Sequence, residues 1–158
     1  MSATSPRKAV FDSNVFLQAL GNPRGPAGAC FDAIRDRRVQ LVVSQQLIDE
    51  ITRVVERPRI SRKLRILPTR FYRLLDELKV HAVYMQNVPE PFTLGRDPDD
   101  SYIINLAIAS GSMLVVSRDN DLLDLMIEGN LDGKVLRSSY PLFQVLTPPQ
   151  FLKTLEPS

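Results

Sequence analysis

The chain has 158 residues, 44% hydrophobic and 24% charged, with a formal net charge of +2. That length fills a sizeable core, and these are the proportions of an ordinary globular protein, which excludes a disordered chain or a low-complexity tail. The near-neutral total argues neither for nor against nucleic acid, but the distribution is uneven: acids cluster in short motifs, while Arg and Lys concentrate between Arg53 and Arg73.

After a polar start over 1–7, Lys8 to Phe11 predicts a short buried strand that ends in Asp12 and turns directly into a helix, SNVFLQAL. Asp12 is either the cap of that helix or an acid delivered into a site at a strand's carboxyl end, and the two roles are geometrically compatible. Residues 21–26, GNPRGP, form a loop without the glycine spacing or Lys-Ser/Thr of a phosphate-binding P-loop. Ala27 to Arg38 predicts a helix with Ala29, Phe31, Ala33 and Ile34 as its apolar surface. Cys30 lies among them and reads as a buried core thiol; as the single cysteine it cannot form an internal disulfide. Val39 to Val43 predicts a second strand. Ser44 then caps a helix from Gln45 to Arg57, with Leu47, Ile48, Ile51, Val54 and Val55 on the buried face. Glu50 borders that face, either as a solvated rim residue or directed into a site, and spacing alone leaves both open.

Pro58 stops the helix. Arg57, Arg59, Arg62, Lys63, Arg65, Arg70 and Arg73 follow at close intervals, with Phe71 and Tyr72 interleaved. They are either a solvated helical face or a phosphate-tracking patch. Thr69 to Lys79 predicts an amphipathic helix and Val80 to Met85 a short extended segment. His81 is the only histidine, so a catalytic Ser-His or Cys-His pair would have to use it; no nucleophile motif accompanies it, and it reads as structural or surface. Beyond Pro89, Pro91 and Gly95 comes an acidic loop with Asp97, Asp99 and Asp100. It opens a helix whose Ile103, Ile104, Ala107 and Ile108 form a core-facing stripe. Gly111 ends that helix, Met113 to Val116 predicts a buried parallel strand, and Ser117, Asp119 and Asp121 follow it. The next helix is expected to continue through Leu125, Met126 and Ile127 to Gly129. Lys134 to Arg137 and Phe143 to Leu146 predict short strands, and Thr147-Pro148-Pro149 opens a terminal helix. This alternation predicts a three-layer α/β/α fold around a mostly parallel sheet, with any ligand at the carboxyl ends of the strands. With no transmembrane run or visible secretory signal, the expectation is a cytoplasmic protein with no membrane partner.

Three separate contexts thus deliver acids: Asp12, the Asp97/Asp99/Asp100 group, and Asp119 with Asp121. Glu50 is a fourth contributor from a helix. Converging carboxylates repel one another unless a cation neutralises them. Oxygen-only ligation points to Mg²⁺ or Mn²⁺ and away from zinc, and a hard cation held this way suits phosphoryl chemistry. The spaced acids and distal Glu of an EF-hand are absent. A phospho-aspartate enzyme using Asp12 needs a second acid two residues later, where this chain has Asn14.

DSNVF at 12–16, VSQQLIDEITRVVERP at 43–58, RDPDDSYIINLA at 96–107 and VVSRDNDLL at 115–123 together resemble the PIN-domain family, in particular the toxin components of bacterial toxin–antitoxin systems. The resemblance spans about residues 8–152 of a single domain over 1–158 and implies a metal-dependent ribonuclease. By that likeness Asp12, Glu50, Asp100 and Asp119 fill the acidic metal site, Asp121 joins as a ligand, and Asn14, Asp97 and Ser117 support it. Asp100 is preferred to Asp99 because Ile103 and Ala107 follow it at the family's helical spacing. Arg59, Arg62, Arg65 and Arg118 are the candidate RNA contacts. The implied partners are an RNA substrate, a cognate antitoxin protein and a second copy in a homodimer; the alternative is a non-catalytic binding module on the same fold. Ser13 and Ser117 stand where the family commonly has Thr, and Ser101 where this branch often has another acid.

Overall fold

Short segments carrying apolar residues become strands, and the periodic stretches between them become helices that bury one face each. The computed structural model of the protein describes residues 6–95 and 98–157. In chain order these form β1 (Arg7–Phe11), α1 (Ser13–Gly21), α2 (Pro26–Arg35), β2 (Val39–Ser44), α3 (Gln45–Val55), α4 (Pro58–Lys63), α5 (Pro68–His81) and β3 (Ala82–Met85). A 3-10 turn (Pro98–Asp100) then leads into α6 (Ser101–Ser110) and β4 (Leu114–Val116). After α7 (Asn120–Leu123) and a second 3-10 turn (Asp124–Met126) come α8 (Leu131–Ser139), β5 (Gln144–Leu146) and α9 (Pro148–Thr154).

The strands form one sheet in the order β3-β2-β1-β4-β5, every neighbouring pair parallel. Helices cover it in the expected α/β/α arrangement. β2, β4 and the Ala9–Phe11 half of β1 are apolar nearly throughout because a parallel strand inside such a sheet is covered on both faces. Phe11 packs edge-on against Phe31 of α2 and Phe151 of α9, while α6 lies against β1, β2 and β4. Cys30 is fully buried in this core, and burial pushes its thiol up to about 12, consistent with an inert packing role.

Most sequence boundaries hold within a residue or two, and the exceptions have local causes. Lys134 to Arg137 is not a strand but the middle of α8. Asn130 caps that helix by accepting from the Gly133 N–H at 2.8 Å, and only Leu136 of the Val135-Leu136 pair is buried. A Cβ at Gly133 would lie 2.1 Å from the Leu125 carbonyl oxygen, so the glycine permits a close approach to the preceding turn. The helix expected to run to Gly129 stops at Leu123 and tightens into the 3-10 turn, which ends at an extended Ile127. α2 ends at Arg35, short of Arg38, as Arg37 adopts a φ of 61° and the chain turns into β2. Pro58 does stop α3, but it also supplies the first residue of α4, a helix the basic run did not announce. Among the described residues no helix is long and apolar enough to cross a membrane.

Candidate metal centre

Chain connections leave β1 toward β2 on one side and enter β4 on the other, so the carboxyl ends of β1 and β4 flank the point where strand order reverses. Such a point opens a crevice in a parallel sheet. The register sets Phe11 opposite Val116, and the Asp12 N–H donates to the Val116 carbonyl at 2.9 Å, which brings Asp12 beside Ser117.

Asp12 is only 5% exposed. Its Oδ1 accepts from the Ser13 N–H at 2.8 Å, capping α1, and its Oδ2 accepts from Ser117 Oγ at 2.8 Å and Asn14 Nδ2 at 3.2 Å. Ser117 is fully buried, and its Oγ also accepts from the Asp119 N–H at 3.0 Å. The Asn14 Oδ1 accepts from the Arg118 N–H at 3.2 Å. Two side chains thereby join the end of β1 to the loop after β4. Burial pushes Asp12 up to about 6, with the charges of Glu50 and Asp119 adding to the rise and the Ser117 and Ser13 hydrogen bonds opposing it.

Asp119 caps α7, accepting from the Asp121 N–H at 2.9 Å. Asp100 stands at the N-cap position of α6 without making a capping bond. Carboxylate oxygens of Asp100, Asp119 and Asp121, all half-buried, lie within 4.8 Å of one another. Glu50, half-buried on α3, accepts the Tyr102 hydroxyl. That phenol is pushed upward chiefly by burial, then by the hydrogen bond and charge of Glu50, with Asp12 and Asp100 adding to it. Asp12, Glu50, Asp100 and Asp119 therefore act electrostatically on one another or on a shared neighbour. Oxygen donors of like charge held this close suit a hard divalent cation, and no sulfur or imidazole donor joins the group of three.

Asp99 is exposed and lines a cavity with Glu50, while Asp97 falls outside the described residues. Arg118 is exposed and its guanidinium donates to Gln18 Oε1. Arg59 and Arg62 lie exposed on α4, and Arg65 follows it with a φ of 59°.

Sequence reasoning missed Tyr102, Asn105 and the part taken by Ser101. Asn105, buried in α6, accepts from the Phe92 N–H at 3.1 Å and donates to the Phe92 carbonyl at 2.9 Å. Ser101 Oγ accepts from the Leu94 N–H at 2.7 Å. Together they fasten the chain leading into the acidic loop onto the helix that leaves it. The available signal was three polar-bearing side chains, Ser101, Tyr102 and Asn105, in the first half of a helix otherwise aliphatic up to its final Ser110.

The sequence profile described as PIN domain matches residues 8–121. A protein of Methanocaldococcus jannaschii whose name says only that it is uncharacterized is 30% identical over 149 residues, spanning 94% of this chain and 92% of its own length. No solved structure matches the chain.

Proposed function

The chain belongs to the PIN-domain family, and we propose that it is an Mg²⁺- or Mn²⁺-dependent endoribonuclease, the toxin of a cytoplasmic toxin–antitoxin pair. PIN domains are in general metal-dependent nucleases, and the acidic group fits that activity. The observation that carries the reading is the convergence of the Asp100, Asp119 and Asp121 oxygens within 4.8 Å, beside the buried Asp12, at the reversal point of the sheet.

In this reading the whole chain acts as one domain, and Asp12, Glu50, Asp100 and Asp119 hold the cation, with Asp121 completing the donor set. A bound divalent ion supplies an activated water and offsets charge on the phosphate and the leaving oxygen. Ser117 and Asn14 keep Asp12 oriented, and Tyr102 does the same for Glu50. Asp97 lies near enough in sequence to assist Asp100. Arg118, with Arg59, Arg62 and Arg65, holds substrate phosphates, since forked guanidinium contacts match phosphate oxygens. A cognate antitoxin and a second copy of the chain are the protein partners.

The test is Mn²⁺-dependent cleavage of single-stranded RNA by the wild type and by Asp12→Asn, Glu50→Gln, Asp100→Asn and Asp119→Asn, with folding checked separately. Each single change is expected to remove most activity and pairs to cost little more, because groups acting as a unit are strongly non-additive. Asp32 and Asp76, exposed acids paired with Arg35 and Lys79, serve as tolerant controls. Activity that survives Asp12→Asn defeats the mechanism. A well-folded wild type inactive on every RNA points instead to a non-catalytic binding module.

A further inference from the structure

Two cavities of about 490 and 480 Å³ open along the carboxyl ends of β2 and β3, and both are lined by Gln46, Glu90, Tyr102 and Asn105. They therefore form one trough. Its inner half reaches Glu50, and its outer half ends at Tyr84, Gln86 and Asn87 beyond β3. Tyr102 joins the trough to the acid cluster, because its hydroxyl is committed to Glu50 while the residue lines both cavities.

The lining chemistry suits a base and not a phosphate. Among the described residues no Lys or Arg lines the outer half, and Arg53 is the one cation of the inner half, where Glu50, Glu90 and Asp99 oppose it. Anionic phosphates are repelled by such walls, whereas bases bind through flat faces and edge hydrogen bonds. Tyr84 and Tyr102 offer aromatic surface for stacking. Asn105 and Gln45 have their amides engaged, by Phe92 and Asp49 respectively. Gln46, Gln86 and Asn87 are exposed on the wall and have no such engagement among the described residues. Asn87 holds a left-handed φ of 54°, a conformation that Asn tolerates better than most residues, and so turns the chain at the rim.

The geometry points to this trough as a subsite for one unpaired base of the strand whose phosphate lies at the acid cluster, with guanine preferred; it rests on the nuclease reading above. Glu90 sets the preference. It stands in both halves of the trough, and a carboxylate only accepts hydrogen bonds. Guanine presents two adjacent donors, N1–H and N2–H, along one edge, and uracil, cytosine and adenine do not. Gln46, Gln86 and Asn87 supply mixed donors and acceptors for the remaining edge atoms.

The experiment titrates the ¹⁵N-labelled full chain with GMP, AMP, CMP and UMP, which carry the same ribose phosphate and differ only in the base. GMP is expected to move the side-chain amide resonances of Gln46, Gln86 and Asn87 and to bind roughly tenfold more tightly than the others, the scale of one good two-bond edge contact. Glu90→Gln should abolish that preference and favour AMP, since a carboxamide matches adenine's donor–acceptor edge. Equal affinities for the four nucleotides, shifts confined to other surfaces, or a guanine preference that survives Glu90→Gln would each overturn the assignment. Paramagnetic broadening by Mn²⁺ alone, read at the backbone amides of Asp119 and Asp121, separates this result from the parent reading. Broadening there with silent trough amides refutes the base subsite and leaves the metal centre standing. GMP shifts without Mn²⁺ broadening keep the subsite and remove the metal centre.

Discussion

Replacing Asp12 with Asn tests whether the site is held against the stability of the fold. Asp12 titrates near 6 in the folded protein against 3.8 when unperturbed, so the native state holds its proton more tightly than the unfolded chain does. A raised folded pKa gives stability that is present below about pH 4 and lost as pH climbs through about 6. A shift of about two units corresponds to roughly 3 kcal/mol over that window. The carboxamide of the variant cannot titrate. It keeps an acceptor for the Ser13 N–H, but it turns its NH₂ group toward Ser117 Oγ and Asn14 Nδ2, at a cost of about 1 kcal/mol that does not vary with pH. In EDTA, urea melts of both proteins from pH 4 to 8 should therefore show the wild type losing about 3 kcal/mol relative to the variant. The variant is slightly weaker at pH 4 and more stable at pH 8. Saturating Mn²⁺ should reverse the order at pH 8, because only the wild type retains its full set of acids. Parallel pH curves for the two proteins in EDTA would refute the reasoning, since they would mean that Asp12 is not held in a costly buried charge state.

Two further outcomes follow from the same charges. Mn²⁺ at about 100 times its dissociation constant should stabilise the protein by roughly 2.7 kcal/mol, read as a rise in melting temperature that EDTA reverses; an unchanged melt at millimolar Mn²⁺ counts against any metal site. Replacing Arg59, Arg62 and Arg65 together with Ala should weaken single-stranded RNA binding and flatten its salt dependence through the lost counterion release, while unchanged binding and slope would reduce the segment to a solvated face or a protein-docking surface.

The parallel fold was legible because its signals are local and redundant. Each buried strand is a short run with apolar residues at nearly all of its buried positions, Ser44 and Thr147 cap through their own side chains, and Gly111 takes the left-handed φ of 75° that a helix end favours. The stretch from 124 to 137 resists reading because its apolar residues, a run of three at 125–127, Leu131 and the pair Val135-Leu136, fix neither period, and the deciding contacts, Asn130 on Gly133 and Gly133 against Leu125, are not visible as a pattern. Acid identities could be read from the motifs, but their convergence depends on the β1–β4 pairing of residues more than 100 apart. Tyr102 was passed over because a helical tyrosine carries no mark of where its hydroxyl goes. Its link to Glu50 joins two helices far apart in the chain, α6 and α3.

The acids are not all placed by the same means. Asp12 and Asp119 are fixed through their backbone amides: one follows β1 and donates its N–H to Val116 of β4, the other donates its N–H to Ser117 Oγ just beyond β4, so their separation is a property of the sheet. Glu50 stands on a helix whose buried face is anchored by Leu47, Ile48 and Ile51. Asp100 differs, because among the described residues the segment that delivers it pairs with no strand. Ser101 on Leu94, Asn105 on Phe92, and Asp132 accepting from the Gly95 N–H at 3.1 Å help tie that segment down. The hydroxyl of Ser101 is therefore spent on a backbone amide, and its effect on the centre passes through the position of its neighbour. An acid at 101 would have to give up that bond or bury a charge to keep it. The seryl hydroxyl trades charge in the cluster for a fixed Asp100.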